Sequence, residues 1–234
     1  MCGRFSQNYT WRDIYEAYED FLQSMTPKNL EPRYNIGRFQ ECDVIRTTED
    51  GGVTLDRALF ELIPFWWKKP RREKKFSSFN AKAEGILSGD AKSFVPSWKH
   101  GKRCIVPVSG FYEWPRPATK GQPPYLIHST KGPLLHLAGL WSAWRDPELD
   151  DEEIITVAIV TTTPNELMQS LPHHRCPVAL SEPEANLWLM GTLEEAATLL
   201  KPPAETLMSA VRVGSYVNKI GNEGPDCIDP ALSD

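Results

Sequence analysis

The spacing of hydrophobic and polar positions predicts a chain built mainly from short strands. Alternating or continuous apolar runs occupy residues 33–45 and 53–63, and four stronger runs cover 103–114, 124–129, 134–144 and 154–162. The connections between these four runs are short and rich in Gly, Pro or acidic residues. We therefore expect the four runs to form an antiparallel meander.

Helical spacing is confined to short segments. Residues 10–25 repeat apolar side chains on one face behind a plausible N-cap, Thr10. Shorter helices are predicted at 81–87, 92–98, 184–190 and 193–200. Because strands come in runs rather than alternating with long helices, the predicted class is α+β, mainly antiparallel with curved, barrel-like sheets and flanking short helices. Residues 1–234 contain no repeat or linker and are expected to form a single domain.

Composition indicates a globular protein, with 41% hydrophobic and 10% aromatic residues in 234. The five cysteines are widely spaced and include no CxxC pair, which predicts a reduced, cytoplasmic protein without a disulfide framework or metal site. No cofactor is expected. No secretory signal is recognisable, and no apolar run approaches the ~20 residues needed to cross a membrane.

Charge is distributed unevenly along the chain. Residues 66–103 contain eleven Lys or Arg and three acidic residues, although the whole chain has a net charge of −5. A compact basic segment on an acidic protein suggests a local site for a polyanion.

Cys2 is the residue with the most distinctive chemistry. If Met1 is removed, Cys2 carries a free α-amine and a thiol on adjacent carbons. The amine of such a 1,2-aminothiol condenses with an aldehyde to an imine, and the thiol then closes a thiazolidine ring. An α-amine titrates near pH ~8 and a thiol near ~8.5, so both are partly reactive at neutral pH. The alternative is that Cys2 is an arbitrary residue at a frayed terminus.

A carboxylate and a histidine pair are candidate acid–base groups. Strand alternation places Glu113 on the face of Phe111, where neighbouring aromatics would desolvate it and suit it to acid–base work. The alternative is an edge-strand Glu that points to water. His173 and His174 beside Arg175 would supply a proton shuttle and an anion contact, or would be incidental residues of a surface loop.

Two further features lie in or next to the basic segment. Asn80 precedes a predicted helix, where it would cap the helix or point its amide at a ligand. Trp66 and Trp67 are followed by two lysines, a combination that suits stacking and phosphate contacts with single-stranded nucleic acid. Tryptophan side chains more often pack in the core, but two adjacent tryptophans on a strand cannot both face inward.

These residues belong to ordered motifs that span the chain from residue 1 to about 230. The motifs are MCGR at 1–4, RYNI at 33–36, LIPxW at 62–66, NA at 80–81, GFYEW at 110–114, AGLW at 138–141, HxRxP at 173–177, VN at 217–218 and GP at 224–225. Together they resemble the SOS response-associated peptidase (SRAP) family of abasic-site shielding proteins. Residues 231–234 are expected to be a tail.

The resemblance implies a mechanism in which Cys2 forms a thiazolidine crosslink with the aldehyde of an abasic site in single-stranded DNA. Glu113 would act as acid and base near the Cys2 amine. His173 would assist proton transfer, and Asn80 would orient the intermediate. The same Schiff base makes lyase-like chemistry available, and the family name reflects a proposed self-cleavage that uncovers Cys2.

The resemblance also implies the DNA contacts. Arg4 and Lys82 would hold flanking phosphates, Trp66, Trp67 and Trp114 would shape or stack on a kinked strand, and Thr161 would add a hydroxyl to the pocket. The basic face implies a monomer on DNA, associated with the nucleoid. The chain departs from the family pattern at Lys82 (usually Arg), at residues 37–38 (usually a small residue and Pro), at 60–61 (usually Trp-Gly) and at Cys176 (usually Met).

Two other functions stay open on the sequence. One is an N-terminal-nucleophile cysteine peptidase that uses the Cys2 thiolate with Glu113 and His173 on an amide. The other is a non-covalent single-strand binding module in which Cys2 is incidental. Only the crosslinking protein requires both a free N-terminal cysteine and an abasic aldehyde.

Overall fold

The computed structural model describes residues 2–22, 25–115, 117, 120–149 and 152–230. The described strands are β1 Arg4–Gln7, β2 Arg33–Gly37, β3 Glu41–Thr47, β4 Val53–Phe60, β5 Asn80–Lys82, β6 Arg103–Val108, β7 Gly110–Glu113, β8 Tyr125–Ser129, β9 Leu135–Arg145, β10 Glu153–Thr162, β11 Cys176–Pro177, β12 Ala179–Leu180 and β13 Met208–Arg212. The described α-helices are α1 Trp11–Ala17, α2 Glu19–Leu22, α3 Ala83–Ser88, α4 Val95–Lys99, α5 Glu166–Ser170, α6 Glu182–Met190 and α7 Leu193–Ala197.

A closed barrel of five strands forms the centre of the fold. The strands follow the order β10–β4–β3–β6–β9, and β9 pairs again with β10 to complete the ring. Most of these pairs are antiparallel, whereas β4 and β5 run parallel to β10. The predicted class, α+β with barrel-like and mainly antiparallel sheets and short helices, is confirmed.

A second, five-stranded antiparallel sheet has the order β13–β8–β7–β1–β2. Alternate residues of the barrel strands face two different cores. Val44, Phe60 and Ile159 pack with Phe5 and Phe111 of the five-stranded sheet. The neighbouring positions of the barrel pack instead against the helices, including α1 and α6.

The predicted meander is wrong, because the four strong runs belong to two sheets. The run at 103–114 divides at Ser109 into β6, which pairs with β9 in the barrel, and β7, which pairs with β1 and β8. Gly110 begins β7 in a crowded place. A Cβ atom there would lie 2.9 Å from the carbonyl oxygen of Ile127. A residue without a side chain therefore allows the chain to change sheets three residues before Glu113.

The predicted helices are mostly shorter than expected. The segment 10–25 forms α1 and α2, and Thr10 caps α1 in a reciprocal capping box with Asp13. Asn80 is not a helix N-cap, because it lies on strand β5 and α3 begins only at Ala83. Parallel pairing with β10 takes precedence over the local capping preference at this position. The predicted tail at 231–234 lies outside the described residues.

Candidate functional site

Strand register brings the start of the chain beside Glu113. In the antiparallel pair of β1 and β7, Phe5 lies opposite Phe111. Continuing this register by two residues places Gly3 opposite Glu113, and Cys2 comes next. Because β7 lies between β1 and β8 within its sheet, Glu113 is not on an edge strand, and only 4% of its surface is exposed. The water-facing alternative for Glu113 is therefore excluded.

Asn80 reaches Cys2 from the barrel side. Its Nδ2 donates a hydrogen bond to the Cys2 carbonyl oxygen at 3.1 Å and lies 3.5 Å from the carbonyl of Ile159, its register partner in β10. The buried Oδ1 atom of Asn80 has no hydrogen-bond partner among the described residues. An unsatisfied buried acceptor is costly in a folded protein, so this oxygen is suited to bind a hydroxyl or an amine that approaches Cys2.

The Cys2 thiol is in an environment that disfavours the thiolate. Cys2 is fully buried. Burial raises the pKa of its thiol well above the usual value, and the negative charge of Glu113 raises it further. Cys2 therefore rests as a neutral thiol and needs a base to become a nucleophile.

Glu113 and His173 form a buried pair next to Cys2. The Nε2 atom of His173 lies 2.7 Å from the Trp114 carbonyl oxygen, so this nitrogen must carry a hydrogen and donate it. The Nδ1 atom of the same ring lies 3.5 Å from Oε2 of Glu113. Because Nε2 is engaged as a donor, Nδ1 is the ring nitrogen that can exchange a proton with the carboxyl group. A carboxyl–imidazole pair of this kind can take up or deliver a proton beside Cys2.

Cys176, one of the departures from the family pattern, is a neighbour of this pair. It is fully buried in β11, three residues after His173. Burial raises the pKa of its thiol to about 12, a backbone hydrogen bond from Asn165 lowers it and the charge of Glu113 raises it. Cys176 is therefore close enough to Glu113 and Cys2 to affect them electrostatically. The sequence signal for this residue was its place in the HxRxP motif, where the family usually has Met.

Arg4 and Trp114 contact each other next to the pocket. The Arg4 guanidinium lies over the Trp114 ring, 5.3 Å from its centroid. Arg4 Nη1 also donates to Asn35 Oδ1 at 3.0 Å and to the Val217 carbonyl at 2.6 Å, and Trp114 Nε1 donates to Asn218 Oδ1 at 2.7 Å. The RYNI and VN motifs thus hold the start of β1 in place. Both predicted DNA contacts already have internal partners.

Arg175 is likewise engaged within the protein. Its two terminal nitrogens donate to the carboxylate of Glu84 at 2.6 and 2.9 Å, and one of them also reaches the Thr161 carbonyl at 2.7 Å. Thr161 is fully buried on β10, opposite Lys82 of β5. The Lys82 side chain is exposed. Of these three predicted DNA contacts, Lys82 is thus the one that solvent reaches freely.

The adjacent tryptophans occupy different environments. Trp66 is 42% exposed beside the exposed Phe65. Trp67 packs near Trp144 and lies edge-on to Phe76, with ring centroids 5.5 Å apart. The pair lies in a turn rather than a strand, but only one of the two rings faces solvent. Trp66 is thus the ring of the two that solvent reaches more freely, whereas Trp67 supports the turn.

The basic segment is only partly a surface feature. Arg103 and Lys74 are buried. Arg103 donates to backbone carbonyls of α6, and Lys74 donates to Glu61 Oε1 at 2.5 Å. Lys68 and Lys82 are among its exposed members. Glu61, an acidic departure in the family pattern, is fully buried and does not present its charge to a ligand.

Within the described residues, no group of three or more His, Cys, Asp and Glu side chains is arranged to hold a metal ion. None of the helices in the described ranges combines the length and apolar character that crossing a membrane requires.

Comparison with known proteins places this site in context. A family model described as SOS response associated peptidase (SRAP) matches residues 1–220. The abasic site processing protein YoqW of Bacillus subtilis is 33% identical over 236 residues, which cover 98% of this chain and 99% of YoqW. The abasic site processing protein HMCES of Gallus gallus is 30% identical over 229 residues, which cover 85% of this chain and 66% of HMCES.

A solved structure has a similar fold over the full length of the chain. The crystal structure of a protein from Bacteroides thetaiotaomicron superposes with a TM-score of 0.78 at 27% sequence identity. The superposition covers 99% of this chain and 100% of the other.

Proposed function

Because the chain belongs to the SOS response associated peptidase (SRAP) family, as its motifs predicted, we propose that it processes abasic sites in single-stranded DNA. The full-length relatives in Bacillus subtilis and Escherichia coli that carry the name abasic site processing protein support this proposal. The proposed product is a covalent crosslink between Cys2 and the lesion, which would shield the lesion during the response to DNA damage.

The proposed chemistry begins at the α-amine of Cys2 once Met1 has been removed. The amine nitrogen adds to the aldehyde carbon of the open-chain deoxyribose, and the resulting carbinolamine loses one water molecule to give an imine. The thiol sulfur then adds to the imine carbon, and the thiol proton ends on the nitrogen. The product is a thiazolidine ring, and the net reaction releases one water.

One observation carries the proposal: Asn80 is hydrogen-bonded to Cys2, and the buried Glu113–His173 pair lies beside Cys2. The carbinolamine hydroxyl needs a proton to leave as water, and the thiol must lose one to attack. A carboxyl–imidazole pair is suited to both transfers, and Nδ1 of His173 lies 3.5 Å from Oε2 of Glu113. Asn80 holds the Cys2 backbone and offers its free Oδ1 to a substrate hydroxyl.

The environment of Cys2 favours this order of events over a peptidase mechanism. A thiol peptidase works from a thiolate whose pKa is lowered, commonly by a neighbouring imidazolium. Here burial and the charge of Glu113 raise the pKa of the Cys2 thiol. Attack by the amine needs no thiolate, and the thiol reacts only after a reactive imine has formed.

The imine also makes lyase-like strand cleavage available in the same pocket. A self-cleaving thiol peptidase activity stays the second proposal, because the nucleophile and an acid–base pair are both present. We further propose that the protein acts as a monomer in the cytoplasm, on nucleoid DNA.

The deciding experiment mixes purified protein with a single-stranded oligonucleotide that contains one abasic site. Intact mass first establishes that Met1 is absent. A heat-stable adduct, equal in mass to protein plus DNA minus one water, is expected for the wild type and not for Cys2→Ala. Cys176→Ala is the matched control, because it removes a neighbouring buried thiol and leaves Cys2 in place.

Other outcomes would separate the alternatives. Protein that lacks Met1 and forms no adduct would overturn the crosslinking proposal. Cleavage of peptides in trans that thiol alkylation blocks would favour the peptidase. Binding that survives Cys2→Ser without an adduct would leave a non-covalent binding module.

A further inference from the structure

The turn between β2 and β3 lies beside the start of the chain. In the antiparallel pair of β1 and β2, Arg4 is opposite Gly37 and Phe5 is opposite Ile36. The chain that precedes Arg4 and the chain that follows Gly37 therefore leave the ladder at the same end. Arg38, the next residue, is thus a close neighbour of the segment that carries Cys2.

The Arg38 side chain is held on several sides. Its Nε atom donates to Glu61 Oε2 at 2.9 Å. Its guanidinium carbon lies 5.2 Å from the Phe39 ring centroid and 4.9 Å from that of Phe79, the residue before Asn80. The side chain nevertheless remains 39% exposed. The two terminal Nη groups have no hydrogen-bond partner among the described residues, so they supply the edge that faces solvent.

The charge of Arg38 is not needed to neutralise Glu61. The buried Glu61 carboxylate already accepts hydrogen bonds from the fully buried Lys74 at 2.5 Å and from the Ser78 backbone and hydroxyl at 2.6 and 2.9 Å. The charges of Lys74 and Glu61 cancel, which leaves the positive charge of Arg38 in excess at the surface. A planar guanidinium with a fixed orientation and a free Nη edge matches the geometry of a phosphate group.

We infer that Arg38 is a DNA-binding residue that contacts a backbone phosphate next to the reactive pocket, with Glu61 as the residue that positions it. The inference rests on the proposed function, since it takes single-stranded DNA as the ligand. It assigns a joint role to two departures from the family pattern. Arg38 supplies a phosphate contact, and Glu61 orients the Arg38 side chain through the hydrogen bond that it accepts from Nε.

The test measures the affinity of wild type and Arg38→Met for an undamaged single-stranded oligonucleotide across a range of salt concentrations. Each phosphate contact on a single strand contributes about −0.7 to the slope of log affinity against log salt concentration. Arg38→Met is expected to make this slope shallower by about 0.7. Methionine keeps an apolar stem against Phe79, and Glu61 keeps Lys74, so the fold is expected to survive.

Arg57→Met is the matched control. Arg57 is also about half exposed and pairs through Nε with a largely buried carboxylate, Asp43. If Arg38 has only a structural role, both variants will keep the wild-type slope, and that result would overturn the inference. Undamaged DNA forms no adduct, so this outcome is independent of whether the crosslinking proposal succeeds.

A second measurement on the wild-type protein avoids any question of folding. Phenylglyoxal modifies accessible arginine side chains, and mass spectrometry locates the products. Saturating single-stranded DNA is expected to protect Arg38 and to leave Arg57 reactive. Equal modification of Arg38 with and without DNA would contradict the assignment.

Discussion

Nδ1 of His173 lies 3.5 Å from Oε2 of Glu113, while Nε2 of the same ring is bound to the Trp114 carbonyl at 2.7 Å. The second contact makes Nε2 a hydrogen-bond donor, and Nδ1 is then the ring nitrogen that faces the carboxyl group. The two residues are separated by 60 positions in sequence and form one acid–base unit.

Glu113→Gln and His173→Gln should each lower the rate of adduct formation by about 10²–10⁴-fold, because proton transfer in the transition state loses its carrier. The double variant should be little slower than either single variant, since the residues act together. Rates from quenched time courses on abasic single-stranded DNA measure this. Losses that multiply in the double variant would show two independent roles.

Asn80→Ala should slow adduct formation by about 5-fold, because one hydrogen bond of about 1 kcal/mol to the Cys2 carbonyl is lost. Ser88→Ala, a substitution of an exposed residue on the adjoining helix α3, serves as the control. Time courses with a fixed excess of DNA measure the ratio of rates. A wild-type rate for Asn80→Ala would remove Asn80 from the mechanism.

Cys2 should react slowly with iodoacetamide in the native protein. Burial and the charge of Glu113 raise the pKa of its thiol, so the thiolate fraction at pH 7–8 is small and access is restricted. Peptide mass spectrometry after timed alkylation should show Cys2 modified much more slowly than in protein unfolded by urea. Equally fast alkylation in both states would instead support the thiolate of a cysteine peptidase.

Glu61→Leu should lower the free energy of unfolding by about 3–5 kcal/mol, because Lys74 would remain buried without a counter-charge. Combining Glu61→Leu with Lys74→Met should recover much of that loss, since no buried charge is then left alone. Urea unfolding curves measure both values. If the double variant is no more stable than Glu61→Leu alone, the loss of the buried ion pair is not the cause of the destabilisation.

Stability should fall in mild acid through His136. Its Nδ1 lies 2.6 Å from the Tyr18 hydroxyl, and burial lowers the pKa of His136 to about 4. The unfolded state binds a proton near pH ~6.5, whereas the folded state does so only near 4, so stability is lost as pH falls through this window. From pH 7 to pH 5 this residue should cost about 2 kcal/mol.

Urea unfolding at both pH values tests the effect of His136. His136→Asn keeps an acceptor for Tyr18 and should remove most of the pH dependence that this residue causes. His100→Asn, at an exposed position, should leave that dependence unchanged. An unaltered pH dependence in His136→Asn would assign the acid sensitivity to other groups.

Local sequence determined the elements and the chemistry. Alternation and turn residues predicted β8, β9 and β10 closely, and the capping box of Thr10 was readable because both partners lie within one helical turn. Cys2, Asn80, Glu113 and His173 were selected by their residue types and motifs. Their roles stay predictions, but the structure does bring them together.

Tertiary structure alone decided which strands pair and which charges are free. The run at 103–114 divides at Ser109 because β7 pairs with β1, which comes earlier in the chain, whereas β6 pairs with β9, which comes later. Arg175 was readable as a cation but not as the partner of Glu84, 91 positions away. Periodicity indicates which face of a segment is buried. It does not indicate which strand or charged group will be the partner, because one pattern is compatible with several long-range pairings.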